Sequence, residues 1–276
     1  MRFFDLMSSS FFQTPKVMGI LNVTPDSFSD GGLFFSKEQA LERAYTMIEE
    51  GAQIIDIGGQ STRPYAEAIS VEEELRRVIP LIETIRTHHP SMFISVDTSK
   101  AEVMREAIAA GANMINDVAA LRYEGSLESV ANSEVYVCLM HMQGEPRTMQ
   151  DQPFYQEVVT EVKDFLHARV QHCLQAGILP HRILIDPGIG FGKKLEHNLR
   201  LIHHLEVFTQ SGYPVVLGVS RKSLLGQILN KPLTERLYGG LTLAVLALLK
   251  GTKVIRTHDV APTIDAMQTL QAVLNE

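Results

Sequence analysis

The chain has little of what would tie it to the cell exterior, to a membrane or to a nucleic acid. Its 276 residues include two cysteines, Cys138 and Cys173, far apart and without the spacing of a metal site or a redox pair. Both are expected to be reduced core residues. The longest apolar run, "LTLAVLALL" (Leu241 to Leu249), falls well short of the roughly 20 residues a membrane helix needs and reads as a helix buried on most sides. The opening "MRFFDLMSSSFFQTP" holds one arginine, a broken apolar run and no small-residue cleavage pattern. No signal peptide is expected, and the expected location is the cytoplasm. No Lys/Arg block is present, and 25 basic against 32 acidic residues give a net charge of -7, so neither nucleic acid nor membrane is expected as a partner. Low-complexity segments, linkers and repeated sequences are also missing.

What is there is a recurring unit. Short apolar runs rich in Ile and Val occur at 16–22, 53–58, 92–97, 113–117, 135–141, 182–186, 214–220 and 253–258, with helical stretches between them. The spacing of Ser36 and Gln39, of Ser70 and Glu73, and of Ser99 and Glu102 predicts three capping boxes. Glycines close two of these helices, in "EEGAQ" and "AAGAN". Further helices are expected near 124–132, 154–176, 195–211, 233–250 and 260–275. Eight strand-helix units predict an α/β fold, a single (β/α)8 barrel domain over residues 1–276, with a doubly wound open sheet as the alternative. Residues ahead of the first strand are expected to close the bottom of the barrel. His88-His89 and His203-His204 each sit near a helix end, and neighbours on a helix do not face each other, so no metal role is expected there.

In such a barrel the chemistry lies where the strands end. Those positions are strongly polar: Asn22, Thr62 beyond "DIGG", Asp97, Asn116, His141, Asp186, Ser220 with Lys222, and Arg256 with His258. Asp97, Asn116, Asp186 and Lys222 combine acceptors, an amide and a cation, a set suited to a flat heterocycle carrying both N–H and carbonyl groups. Arg256 and His258, two apart at a strand end, suit phosphate oxygens, with Asn22 nearby. Asp97 is not needed as a helix cap, since Thr98 and Ser99 already offer capping oxygens. "DPGIGFGKK" allows close backbone approach to a ligand but lacks the Lys-Ser/Thr ending of a P-loop, and its Phe191 reads as an exposed stacking surface.

Eight motifs, "NVTPDSFSDGG", "DIGGQSTRP", "SVDTSK", "AGANMINDV", "MHMQGEPRTMQ", "DPGIGFGKK", "GVSRKS" and "RTHDV", occur here in the order and spacing of one known family. Over essentially its whole length the chain resembles the dihydropteroate synthase family of folate biosynthesis. The resemblance implies a condensation of 6-hydroxymethyl-7,8-dihydropterin diphosphate with 4-aminobenzoate, giving 7,8-dihydropteroate and diphosphate. It implies that Asp97, Asn116, Asp186 and Lys222 hold the pterin, with Met140 and Arg256 on its faces. It implies that Asn22, Thr62, Arg256 and His258 hold the diphosphate, with Mg2+ bound through Asn22. The implied aminobenzoate pocket is Phe28, Arg63, Pro64, Phe191 and Ser220, between two mobile loops near 23–35 and 60–69 whose first would bring Asp30 toward the developing cation. The family is a sulfonamide target, and a homodimer is implied, with the apolar helix at 237–249 one candidate for its interface.

Loss of diphosphate from such a substrate leaves a methylene cation, so the site must neutralise the leaving group and tolerate charge on the ring. Asp97 and Asp186, joined by Asp30, are expected to do the second, and Lys222 to act as a positioned donor. The chain departs from the family at Gln60, usually Glu, at Tyr65, usually Gly, and at Lys194, expected at the surface. Two other readings stand beside this one. One is a non-catalytic or methyl-transfer pterin-binding barrel, which would need no diphosphate site. The other is an aldolase-type lyase using Lys222 as a Schiff base.

Overall fold

Eight strands form where the apolar runs predict them, the first over the full run at 16–22 and the other seven trimmed at one or both edges. A computed structural model describes residues 11–23, 37–61 and 67–275. The strands are β1 (Lys16–Asn22), β2 (Ile54–Gly58), β3 (Phe93–Asp97), β4 (Met114–Asp117), β5 (Tyr136–Met140), β6 (Ile183–Asp186), β7 (Val216–Gly218) and β8 (Val254–Thr257). All pair in parallel in the order β6-β5-β4-β3-β2-β1-β8-β7. The remaining gap is closed by a bridge between Ile185 and Val215 and by Ile185 N–H donating to Pro214 O at 3.0 Å. The sheet is therefore a closed (β/α)8 barrel and not an open doubly wound one.

The surrounding helices are α1 (Lys37–Glu49), α2 (Val71–His88), α3 (Ala101–Ala109), α4 (Ser126–Ala131), α5 (Val158–Gln175), α6 (Leu195–His203), α7 (Glu206–Thr209), α8 (Ser223–Leu229), α9 (Leu237–Leu249) and α10 (Val260–Leu274). Ser70 caps α2 as its spacing predicts, accepting from Glu73 N–H at 3.2 Å. Gly51 and Gly111 follow their helices at φ +95° and +104°, a conformation that favours glycine. Ser36 lies outside the described residues.

Four expectations need correction. Ser99 does not cap α3; its hydroxyl donates to the buried Asp117 carboxylate, while Lys100 N–H turns to Thr98 Oγ1. The helix expected over 195–211 ends at His203. His204 leaves helical geometry there, and the two histidine rings meet edge to face at 4.6 Å, which an uninterrupted helix would not allow. Helix α8 has no counterpart among the expected segments, because seven residues are too few to show a helical period. Finally, α9 is not buried on most sides: only Ala244 and Ala247 are enclosed, while Tyr238 is 76% and Leu249 55% exposed.

Two large apolar cores lie on the outer and inner faces of the sheet among the described residues. Outward-facing strand residues such as Ile55, Ile94 and Val137 pack against the helices, including Leu81, Ile82 and Ile85 of α2. Inward-facing residues change character along the barrel axis. At the N-terminal end lie Met18, Ile54, Phe93, Met114, Tyr136, Leu184, Val216 and Val254. The turn Phe11–Gln13 plugs that end, as expected: Phe11 stacks on Phe93 at 4.7 Å, and Phe12 meets Tyr136 edge-on at 5.2 Å. Full burial of a side chain such as Phe93 contributes about 2 to 3 kcal/mol. Two residues further along, the period of a strand brings in Asp56, Ser95, Asn116, Asp186 and Arg256. The apolar plug thus gives way to a polar layer toward the C-terminal mouth.

Candidate active site

Parallel register gathers the strand-end residues. Asn22 pairs with Gly58, Gly58 with Asp97, and Asp97 with Asn116, so four strands contribute to one row. On β5 and β6, Met140 stands in register with Asp186.

At the centre is Arg256. Its Nε lies 2.6 Å from Asp56 Oδ2 and its Nη2 2.7 Å from Asp97 Oδ2. Asp56 is fully buried and also accepts from Ser95 Oγ at 2.6 Å and from Asn116 Nδ2 at 3.2 Å. Each residue of this group is thereby oriented by another. Burial opposes the Arg256 cation, yet Asp56 and Asp97 carry its pKa above the usual range for arginine. Burial pushes the Asp97 carboxyl up, and Arg256 holds it back. The sequence divides these residues into a ring-binding group and an anion-binding group; the structure joins the two through Arg256.

Asp186 ends β6 and accepts from Gly188 N–H at 2.7 Å. Burial raises its pKa, against the attraction of Lys222 and that backbone donor. Lys222 stands at the start of α8 beyond β7, its ammonium donating to Ile189 O and lying 4.7 Å over the Phe191 ring. Burial brings it down to about 8, against the attraction of Asp186. Arg221, just before it, adopts φ +59°, unusual for a side chain of this size, and is held there by Asp259 at 2.5 and 3.2 Å. Phe191 is not freely exposed: it packs on an apolar wall of Val118, Met140, Met142 and Met149.

Ser220 and His258 form a second group. The Ser220 hydroxyl accepts from His258 N–H at 3.2 Å and lies 3.2 Å from His258 Nδ1. The His258 carbonyl accepts from Arg43 of α1 at 2.8 Å. His141 is not part of the site. Its strand ends at Met140, and its ring turns outward onto Phe165 of α5. Lys194 is exposed as expected. Phe28, Asp30, Thr62, Arg63 and Pro64, with Tyr65, lie outside the described residues. Gln60 has a definite place: its side-chain oxygen accepts from Ile69 N–H at 3.3 Å and from Lys100 Nζ at 2.7 Å, and Lys100 also meets Glu74 at 2.7 Å.

Sequence reasoning misses Asp56, Ser95 and the residues Val118, Met142 and Met149 that join Met140 in the apolar wall. Asp56 carries a signal: a carboxylate inside "QIIDIG" has to be buried, and a buried carboxylate needs a cation.

The donor set also bears on a metal. Asn22 offers an amide oxygen at the end of β1, over Gly58, where no Cβ intrudes. Among the described residues no group of three or more His, Cys, Asp or Glu is arranged around a common point. Such a site fits Mg2+ of the kind held by one protein oxygen together with substrate phosphates and water, and does not resemble an all-protein cage.

A profile of pterin binding enzymes matches residues 18–258. The dihydropteroate synthase of Haemophilus influenzae is 50% identical over 261 residues, covering 95% of this chain and 94% of that one. A crystal structure of Yersinia pestis dihydropteroate synthase with a sulfonamide drug superposes with a TM-score of 0.92 at 46% identity, covering 96% of each chain. The Xanthomonas albilineans dihydropteroate synthase in complex with 7,8-dihydropteroate superposes with a TM-score of 0.86 at 46% identity, covering 95% of each chain.

Proposed function

This chain belongs to the dihydropteroate synthases, a family of pterin binding enzymes, and on that premise we propose how its own residues divide the reaction between them. It is a transferase, joining 6-hydroxymethyl-7,8-dihydropterin diphosphate to 4-aminobenzoate with release of diphosphate. The observation that carries our reading is the buried group of Asp56, Asp97, Asn116 and Arg256 at the C-terminal mouth, flanked by Asp186 and Lys222.

The pterin lies on that floor. Asp97, Asn116 and Asp186 accept from or donate to its edge, Lys222 donates to a ring acceptor, and Met140 packs on one face. Arg256 serves two ends of the substrate. Its guanidinium is fixed by two carboxylates, so it meets the ring face and the diphosphate without further ordering. Asn22 and His258, joined by Thr62, bind the diphosphate. Mg2+, held through Asn22, would supply further neutralisation of the leaving group. As the C–O bond to diphosphate breaks, positive charge spreads from the methylene into the pterin, and the carboxylates of Asp97 and Asp186, with Asp30, stabilise it. The aminobenzoate nitrogen then attacks that carbon and loses its proton.

Phe191 and Ser220, with Phe28, Arg63 and Pro64, take the aminobenzoate. That pocket is also where sulfonamides, one of which is bound by the Yersinia relative, would compete. An aromatic amine needs no protein nucleophile, and Lys222 already donates to the Ile189 carbonyl under the attraction of Asp186, an arrangement that favours a donor over a Schiff base. The test is aminobenzoate-dependent release of diphosphate from the pterin diphosphate in the presence of Mg2+. Its absence from folded protein defeats the reading.

The protein is proposed to act as a homodimer in the cytoplasm. No described helix is long and apolar enough to cross a membrane, and both cysteines are free and buried. The outer face of α8 and α9 carries Ile228, Leu229, Tyr238, Leu246 and Leu249, all exposed, a patch suited to a second copy.

A further inference from the structure

Among the buried cations that the mechanism does not use is Lys193, seven residues past Asp186. Lys193, on the loop between β6 and α6, is 3% exposed. Its Nζ lies 2.8 Å from His141 Nδ1 and donates to Phe191 O at 3.0 Å and to His141 O at 3.4 Å. An ammonium has three protons and no lone pair, and three acceptors surround it when the imidazole is neutral with its hydrogen on Nε2. Burial keeps His141 neutral, with a pKa of about 2. Burial also pulls Lys193 well below its ordinary value, and the Asp186 carboxylate opposes that.

The loop around Lys193 is pressed against the segment beyond β5. Gly188 and Gly192 have φ +69° and +61°, and a Cβ on either would collide with a backbone carbonyl, that of His141 for Gly188 and that of Gln143 for Gly192. Tyr155 Oη donates to Gly192 O at 2.8 Å from the same side. Lys193 is the polar centre of this contact. One end of Phe191, its carbonyl, is bonded to Lys193, and the other end, its ring, supports Lys222 at 4.7 Å. The height of the ring above the floor follows from where Lys193 holds the backbone.

We propose that Lys193 is a positioning residue for the second substrate: anchored on His141, it fixes the Phe191 carbonyl and so sets the ring against which 4-aminobenzoate lies. The proposal rests on the reading of Phe191 given above. Lys193 makes no hydrogen bond to Asp97, Asn116, Asp186 or Lys222 and reaches the pterin site only through the contact of the Phe191 ring with Lys222 and Met140, so that site should register its loss less.

The experiment measures KM for each substrate by diphosphate release in the wild type and in Lys193→Met, His141→Leu and His141→Asn, with Lys194→Gln as a surface control. Lys193→Met and His141→Leu are each expected to raise KM for 4-aminobenzoate about tenfold, the effect of losing one charge-assisted hydrogen bond, with KM for the pterin diphosphate changed less than about twofold. His141→Asn restores an acceptor near Nδ1 and is expected to recover most of the loss. An unchanged aminobenzoate KM, or an equal rise for both substrates, overturns the proposal. If Lys193→Met does not fold, the two His141 variants decide it: equal aminobenzoate KM in both overturns it, and rescue by Asn supports it. Wild-type turnover in the same assay separates the two failures. Without it the functional reading fails and the positioning role with it; with it, an unmoved KM defeats the positioning role alone.

Discussion

Arg256 Nε sits 2.6 Å from Oδ2 of Asp56, a carboxylate with no solvent exposure, 200 residues away in the chain. Substituting either partner leaves the other charged in a site with few alternatives. Breaking such a buried pair costs about 3 to 5 kcal/mol. Arg256→Met is therefore expected to lower unfolding stability by at least about 3 kcal/mol in urea denaturation, and to abolish turnover. A stable Arg256→Met protein that keeps its activity would contradict the central place given to this pair.

Lys222 makes a pH prediction. With a folded value of about 8 against an ordinary 10.5, the free enzyme loses this proton early. kcat/KM for the pterin diphosphate is expected to fall as pH rises through about 8, because the neutral amine no longer offers the charged donor. Stability runs the other way. The unfolded chain binds more protons than the native state between about 8 and 10.5, so this group lets stability rise with pH in that window. Lys222→Arg should flatten the alkaline limb of the rate profile, and a limb that stays in place assigns it to another group.

Gly188 cannot carry a side chain. Its φ of +69° disfavours any L residue, and the His141 carbonyl oxygen occupies the space a methyl group would need. Gly188→Ala is expected to cost about 2 kcal/mol or more, from backbone strain and a displaced loop, and to lower the thermal midpoint by several degrees. Gly177, at φ +90° with open space around it, bears only the conformational part, so Gly177→Ala should be clearly milder. Equal losses in the two variants would argue against a close-packed loop.

The apolar face of α8 and α9 can be tested in solution. Tyr238→Glu combined with Leu249→Glu places two charges on exposed positions that no described side-chain interaction requires for folding. Sedimentation equilibrium should give a dimer for the wild type and a monomer for the double variant. A wild type that sediments as a monomer removes the proposal.

What is legible in the sequence follows from position. Asn22, Asp97 and Asp186 each close an apolar run and Asn116 stands one residue from the end of another, and in a parallel barrel the end of a run is the mouth. Asp56 escapes that rule because it interrupts a run and does not end one. The same rule misplaces His141: β5 stops one residue earlier, alternation lapses, and the ring faces the helices. The partnership of Arg256 with Asp97, 159 residues apart, is invisible to period and spacing alike, because it depends on how far the strands are staggered when the barrel closes. The exposed side of α9 is hidden by its composition, since leucine on every face does not say which face the barrel covers.

The aromatic plug of Phe11, Phe12, Phe93 and Tyr136 has a consequence for traffic. A well sealed at one end has a single opening, so both substrates, the released diphosphate and the product must share it. With the pterin on the floor as proposed, 4-aminobenzoate would roof it, and the expected order of entry is the pterin first and its partner second.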